Sequence, residues 1–121
     1  MIFDNMINEL LFRFPMLTSI YESEGDYIEN LQHPTYGIVF VPYIKQAVLE
    51  NDENAIQMIC DFMESMANSD DEDERVSELL GVSVLENILC ERELLSVLKP
   101  HLGVETLKLL SLMEKESGWS E

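Results

Sequence analysis

Positive charge is scarce in this chain. Seven Lys and Arg stand against 24 Asp and Glu, a formal net charge of −17 at pH 7. A field of that sign repels nucleic-acid phosphates and anionic membranes and favours a basic partner or a cation. It also keeps a protein soluble without any partner. Long apolar runs are absent: nothing approaches the roughly 18–20 residues needed to cross a bilayer. Residues 1–20 contain Asp4 and Glu9 and no cationic leader before an apolar block, so they do not read as a signal peptide. The expectation is a cytoplasmic protein. Cysteine is limited to Cys60 and Cys90, which excludes a zinc framework, and each is expected to be a buried, inert thiol. The two histidines, His33 and His101, lie next to Pro34 and Pro100 with no partner at the H-x-x-x-H spacing of a metal site. Both are expected on surface loops, and no metal or cofactor is implied.

What the chain does have is helical periodicity. Its 121 residues, 46% of them hydrophobic, suit one folded domain over residues 1–121. The clearest stripe is Ile56, Ile59, Cys60, Met63, Met66 and Ala67, one face of a 3.6-residue helix that Phe62 widens. Asn51 or Asp52 can cap its start, Glu53 suits its positive first turn, and it should end near Asn68. Ser69-Asp70-Asp71-Glu72 then reads as a capping box that opens a further helix through Val76, Leu79 and Leu80. Gly81 either ends that helix or sits inside a longer one, and Ser83-Val84-Leu85-Glu86 repeats the box pattern.

Elsewhere, Met6, Ile7, Leu10, Leu11 and Phe14 mark a first helix over residues 5–14, which Pro15 stops. Residues 22–26 form a polar break, and residues 32–37, with Pro34 and Gly37, look the most loop-like. A helix is expected from Val39 or Phe40 to Glu50, with Pro42 in its first turn. Its short link to the next helix implies an antiparallel pair. Leu94, Leu95, Val97 and Leu98 mark another helix ending at Pro100. Leu107, Leu110 and Met113 mark the last, with Gly118 as its stop and Trp119 folding back onto the domain. The fold class expected is all-α: about five to seven helices in antiparallel pairs, as a HEAT/armadillo-like stack or a compact bundle.

Catalytic signals are missing. Asp70, Asp71, Glu72, Asp73 and Glu74 fail the calcium-loop pattern, since Arg75 falls where that loop needs glycine. Gly81-Val82-Ser83-Val84-Leu85 lacks the second glycine of a nucleophile elbow. The acidic run reads first as a solvated helix start and second as a docking surface for basic residues. Tyr36, Phe40 and Tyr43 read as a core seal before they read as binding anchors.

Three segments carry a resemblance: Tyr36-Gly37 with Phe40-x-Pro42-Tyr43, then Asp61-Phe62-Met63-Glu64-x-Met66-Ala67-Asn68-Ser69, then Val76-x-x-Leu79-Leu80-x-Val82-x-Val84-Leu85-Glu86. Over residues 5–117 the chain resembles an uncharacterised helical family of small bacterial proteins. The resemblance implies an all-α fold and supplies no catalytic residues. By association it points toward immunity proteins of bacterial toxin systems. The leading expectation is therefore a non-enzymatic protein that binds a basic partner, a nuclease-like toxin in its sharpest form. Asp70, Asp71, Glu72, Asp73 and Glu74 would form the contact, flanked by Glu64 and Glu78, without nucleic acid or membrane. The competing expectation is a structural or adaptor domain whose acidity only solubilises it, and a metal-assisted hydrolase is the remote third.

Overall fold

Helical spacing of apolar residues becomes helix throughout the computed structural model, which describes residues 1–116, the Tyr27 side chain aside. Among these residues the chain forms seven helices and no strand, the all-α compact bundle expected. They are α1 (Met6–Arg13), α2 (Thr18–Glu24), α3 (residues 32–49), α4 (Glu53–Ala67), α5 (residues 74–89), α6 (Arg92–Leu98) and α7 (Val104–Glu116). The helix stop expected at Gly118 and the docking expected of Trp119 lie outside the described residues.

Helix α4 follows the sequence closely. The Asp52 carboxylate caps it by accepting from the Ala55 N–H at 3.1 Å, and its buried face comprises Ala55, Ile56, Ile59, Cys60, Phe62, Met63, Met66 and Ala67. Each large apolar side chain buried in this way contributes about 1.5–3 kcal/mol. Asn51 takes a positive φ of 52° in the tight link before it, and α3 and α4 pack against each other across that link.

Helices α3 and α5 depart from expectation. The loop expected at residues 32–37 is helical, so α3 starts seven or eight residues earlier than the sequence suggested: Gln32–Thr35 is α, Tyr36–Phe40 is π and Val41–Leu49 is α again. Pro34 falls in the first turn, where its missing N–H has no intrahelical partner to lose. Pro42 is the second residue after the π segment, whose wider turn makes room for a ring that would otherwise crowd the carbonyl one turn back. Helix α5 is built alike, with Glu74–Leu79 in α, Leu80–Leu85 in π and Glu86–Leu89 in α. Gly81 therefore sits inside a continuous helix, and Ser83 starts none. In both helices a glycine, Gly37 or Gly81, is second in the π segment, and the two π segments pack on each other.

The centre is aromatic. Phe14, Tyr36, Phe40 and Phe62 are fully buried, and Phe62 meets Phe14 and Phe40 edge-on at 5.6 and 5.7 Å while stacking on Tyr36 at 6.5 Å. Tyr36 and Phe40 thus belong to the core, with half-buried Tyr43 at its margin against Phe14. The Tyr36 hydroxyl donates to the Met6 carbonyl at 2.8 Å, which satisfies the one polar atom its burial would strand. Cys60 is buried as expected, but Cys90 is exposed. Cys90 lies in the turn that ends α5, one residue past the buried Leu89, and there it points away from the core.

Candidate docking groove

The acidic joint between α4 and α5 sorts its carboxylates into two groups. Ser69 does not cap α5. It is buried, its hydroxyl donates back to the Ser65 carbonyl, and its own carbonyl accepts from the Glu72 and Asp73 amides. Asp73 is the true cap. It accepts from the Arg75 amide at 3.1 Å, and the Arg75 guanidinium grips both its oxygens at 3.0 and 2.9 Å. It also accepts from the Phe3 amide at 2.9 Å, while the same guanidinium lies 5.0 Å above the Phe3 ring. The Arg75 side chain, helped by the Phe3 amide, holds the Asp73 carboxyl far below the usual carboxylate range. Glu72 pairs with the Met1 amino group, and Asp70 accepts from the Ser77 hydroxyl.

Glu64 is used elsewhere. Its carboxylate closes the first turn of α7, accepting from the Glu105 amide at 3.0 Å, the Thr106 amide at 2.9 Å and the Thr106 hydroxyl at 2.8 Å. Burial works against its charge, but these bonds and one from Asn68 outweigh that and hold its pKa below the ordinary value. Gly103 makes room for it, since a Cβ there would stand 2.3 Å from the Glu64 carboxyl carbon.

The sequence-predicted contact residues therefore separate. Glu64, Glu72 and Asp73 hold the fold together. Asp70, Glu74 and Glu78 line one groove of about 520 Å³ between α5 and α7, and Asp71 is exposed on the turn beside them. Two further carboxylates join this groove that the sequence did not single out, Glu86 from α5 and Glu116 from α7. Its floor is Gly81, Val82, Leu109 and Met113. A Cβ on Gly81 would lie 3.8 Å from the Met113 sulfur and 3.9 Å from Leu109, so the two helices run close there. Val82 is 53% exposed. The four-residue steps from Glu74 through Glu78 and Val82 to Glu86 form one helical ridge once Gly81 lies inside the helix, a point the sequence leaves open. That α7 completes the groove was not readable, because it depends on packing between distant segments.

A second concavity of about 540 Å³ carries Asp4, Glu22, Asp26 and Glu29 around Tyr21. Among the described residues no set of three or more His, Cys, Asp or Glu is placed to hold a metal ion, and no helix is long and apolar enough to cross a membrane. His33 is helical and half-buried, not on a loop, and its Nδ1 lies 2.6 Å from the Ser83 hydroxyl, which joins α3 to α5. His101 lies in a 3₁₀ turn, with Nδ1 3.4 Å from the Gln57 side-chain oxygen.

A protein-family model described as a domain of unknown function matches residues 7–119. No curated protein and no solved structure matches the chain significantly.

Proposed function

Since the chain belongs to the DUF7674 family, whose description carries no activity, its role must come from its own surface, and we propose that it binds a basic protein through the α5–α7 groove. One observation carries this reading. Asp70, Glu74, Glu78, Glu86 and Glu116 rim a partly exposed apolar floor, while the ion pairs among the described residues go to Glu72, Asp73, Glu91, Glu105 and Glu114. The rim charges are left to attract a partner. They would steer encounter and cover cationic residues on it. In its sharpest form the partner is a nuclease-like toxin and the protein its non-enzymatic inhibitor in a bacterial cytoplasm, because carboxylates along a groove can occupy a site made for phosphates. The second reading, an adaptor whose acidity is solubilising, is favoured by Glu64, Glu72 and Asp73, which serve the fold itself.

Co-purification from the native host, followed by calorimetry with the captured protein, separates the two. The expected ligand is basic, and Asp70→Asn, Glu74→Gln and Glu78→Gln together weaken it at least about ten-fold, as does added salt. Affinity indifferent to both changes leaves the solubilising reading standing. A toxin gene beside this one supports the sharper form, and a metabolic operon counts against it.

A further inference from the structure

We propose that the α5–α7 groove seats a helix of the partner: an amphipathic helix whose apolar stripe lies on Val82, Leu109 and Met113 and whose flanking lysines or arginines reach Glu74, Glu78 and Glu86. This rests on the reading above that the partner is basic and adds the form of the segment recognised. The walls are two helical ridges, Glu74–Glu78–Val82–Glu86 on α5 and Leu109–Met113–Glu116 on α7, and the channel between such ridges fits the ridge of a third helix. From residue 74 to residue 86 the α5 ridge spans roughly three helical turns, the middle one and a half in the π segment, room for a similar length of an incoming helix.

An extended peptide is the weaker fit. Sheet-edge addition, the mode in which an extended segment satisfies its backbone, has no edge to use, because the described residues form no strand. The floor is half-buried Leu109 and Met113 beside exposed Val82, which calls for an apolar face, while the carboxylates along the rim call for cations at its borders. Both requirements are met at once by a helix with an apolar stripe and basic flanks.

The test uses a synthetic Leu/Lys amphipathic helix about five turns long, a scrambled peptide of the same composition, and a version broken by a central proline. Binding to the full chain is read by fluorescence anisotropy near physiological salt. The amphipathic peptide should bind at least about ten-fold tighter than either control. Val82→Ser, a surface change that leaves the charge untouched, should erase most of that preference. If all three peptides bind alike and only Asp70→Asn/Glu74→Gln/Glu78→Gln weakens them, the helix proposal is wrong and the acidic-surface reading survives. If that triple variant binds the peptides as the wild type does, both fail. Self-association of the chain alone in the ultracentrifuge, abolished by Val82→Ser, would also overturn the proposal by making a second copy the occupant.

Discussion

The Glu64 carboxylate belongs by sequence to α4 and by bonding to α7. Gly103, at the start of α7, has no side-chain oxygen to cap it, so Glu64 supplies the acceptor from outside. Glu64→Ala should cost about 1–2 kcal/mol in urea unfolding, the usual loss for a helix cap. Gly103→Ala should cost a similar amount by displacing the carboxylate. The double variant should fall well short of the sum, since both changes remove one interaction. The pH dependence has a definite sign. A carboxyl whose folded pKa is lowered stabilises the fold above its ordinary range, near about 4.3, and that contribution is lost as pH falls through the lowered value. The stability gap between wild type and Glu64→Gln should be full at neutral pH, shrink below the ordinary range and vanish in stronger acid. A gap constant with pH would show that the charge is not what holds α7. The thiols differ as sharply. Burial, with Asp61 adding to it, pushes the Cys60 thiol up to about 12, whereas Cys90 is exposed. A thiol reagent should modify Cys90 in the native protein and Cys60 only on unfolding, which mass spectrometry of the labelled chain reads directly.

At the scale of elements, the two π segments are the unusual feature. A Cβ at Gly37 would meet nothing within 4 Å, and its φ is not positive. Gly37→Ala should therefore stabilise the protein by about 0.5–1 kcal/mol in thermal or urea unfolding, through a stiffer unfolded chain. A loss would mean that the π turn itself needs glycine. These segments also explain where the sequence misled. Helix α4 was legible because its stripe is regular and its cap, Asp52, is local. Helix α3 was not, because Pro34, Gly37 and Pro42 are the ordinary punctuation of loops. They are tolerated here by a first turn and a widened one. The start of α5 was misplaced because Ser69 and Asp73 both head plausible caps, and the choice fell to Arg75 and the distant Phe3 amide, which favour Asp73. The candidate groove was half legible. The four-residue steps of the α5 ridge are in the sequence, but the sequence leaves open whether Gly81 breaks them; Glu116 and half of the floor, Leu109 and Met113, belong to α7, and Glu64 was committed to a bond invisible in one dimension.

For the molecule as a whole, 24 acidic against seven basic side chains make self-repulsion a standing cost of folding. Raising salt from about 10 mM to a few hundred millimolar shrinks the screening length several-fold, so the melting temperature should rise, as differential scanning fluorimetry would show. Salt then acts with opposite sign on the two properties, strengthening the fold and weakening the proposed complex. A flat or falling melting curve would mean that the ion pairs outweigh the repulsion. The capping of α7 has one more consequence, for the order in which the chain takes shape. Its first turn is closed by a side chain 41 residues earlier. On the ribosome α4 is made first and offers its carboxylate when α7 emerges. A circularly permuted chain with α7 ahead of α4 reverses that order: its first helix must wait, uncapped and with little apolar surface to bury, for most of the protein to be synthesised.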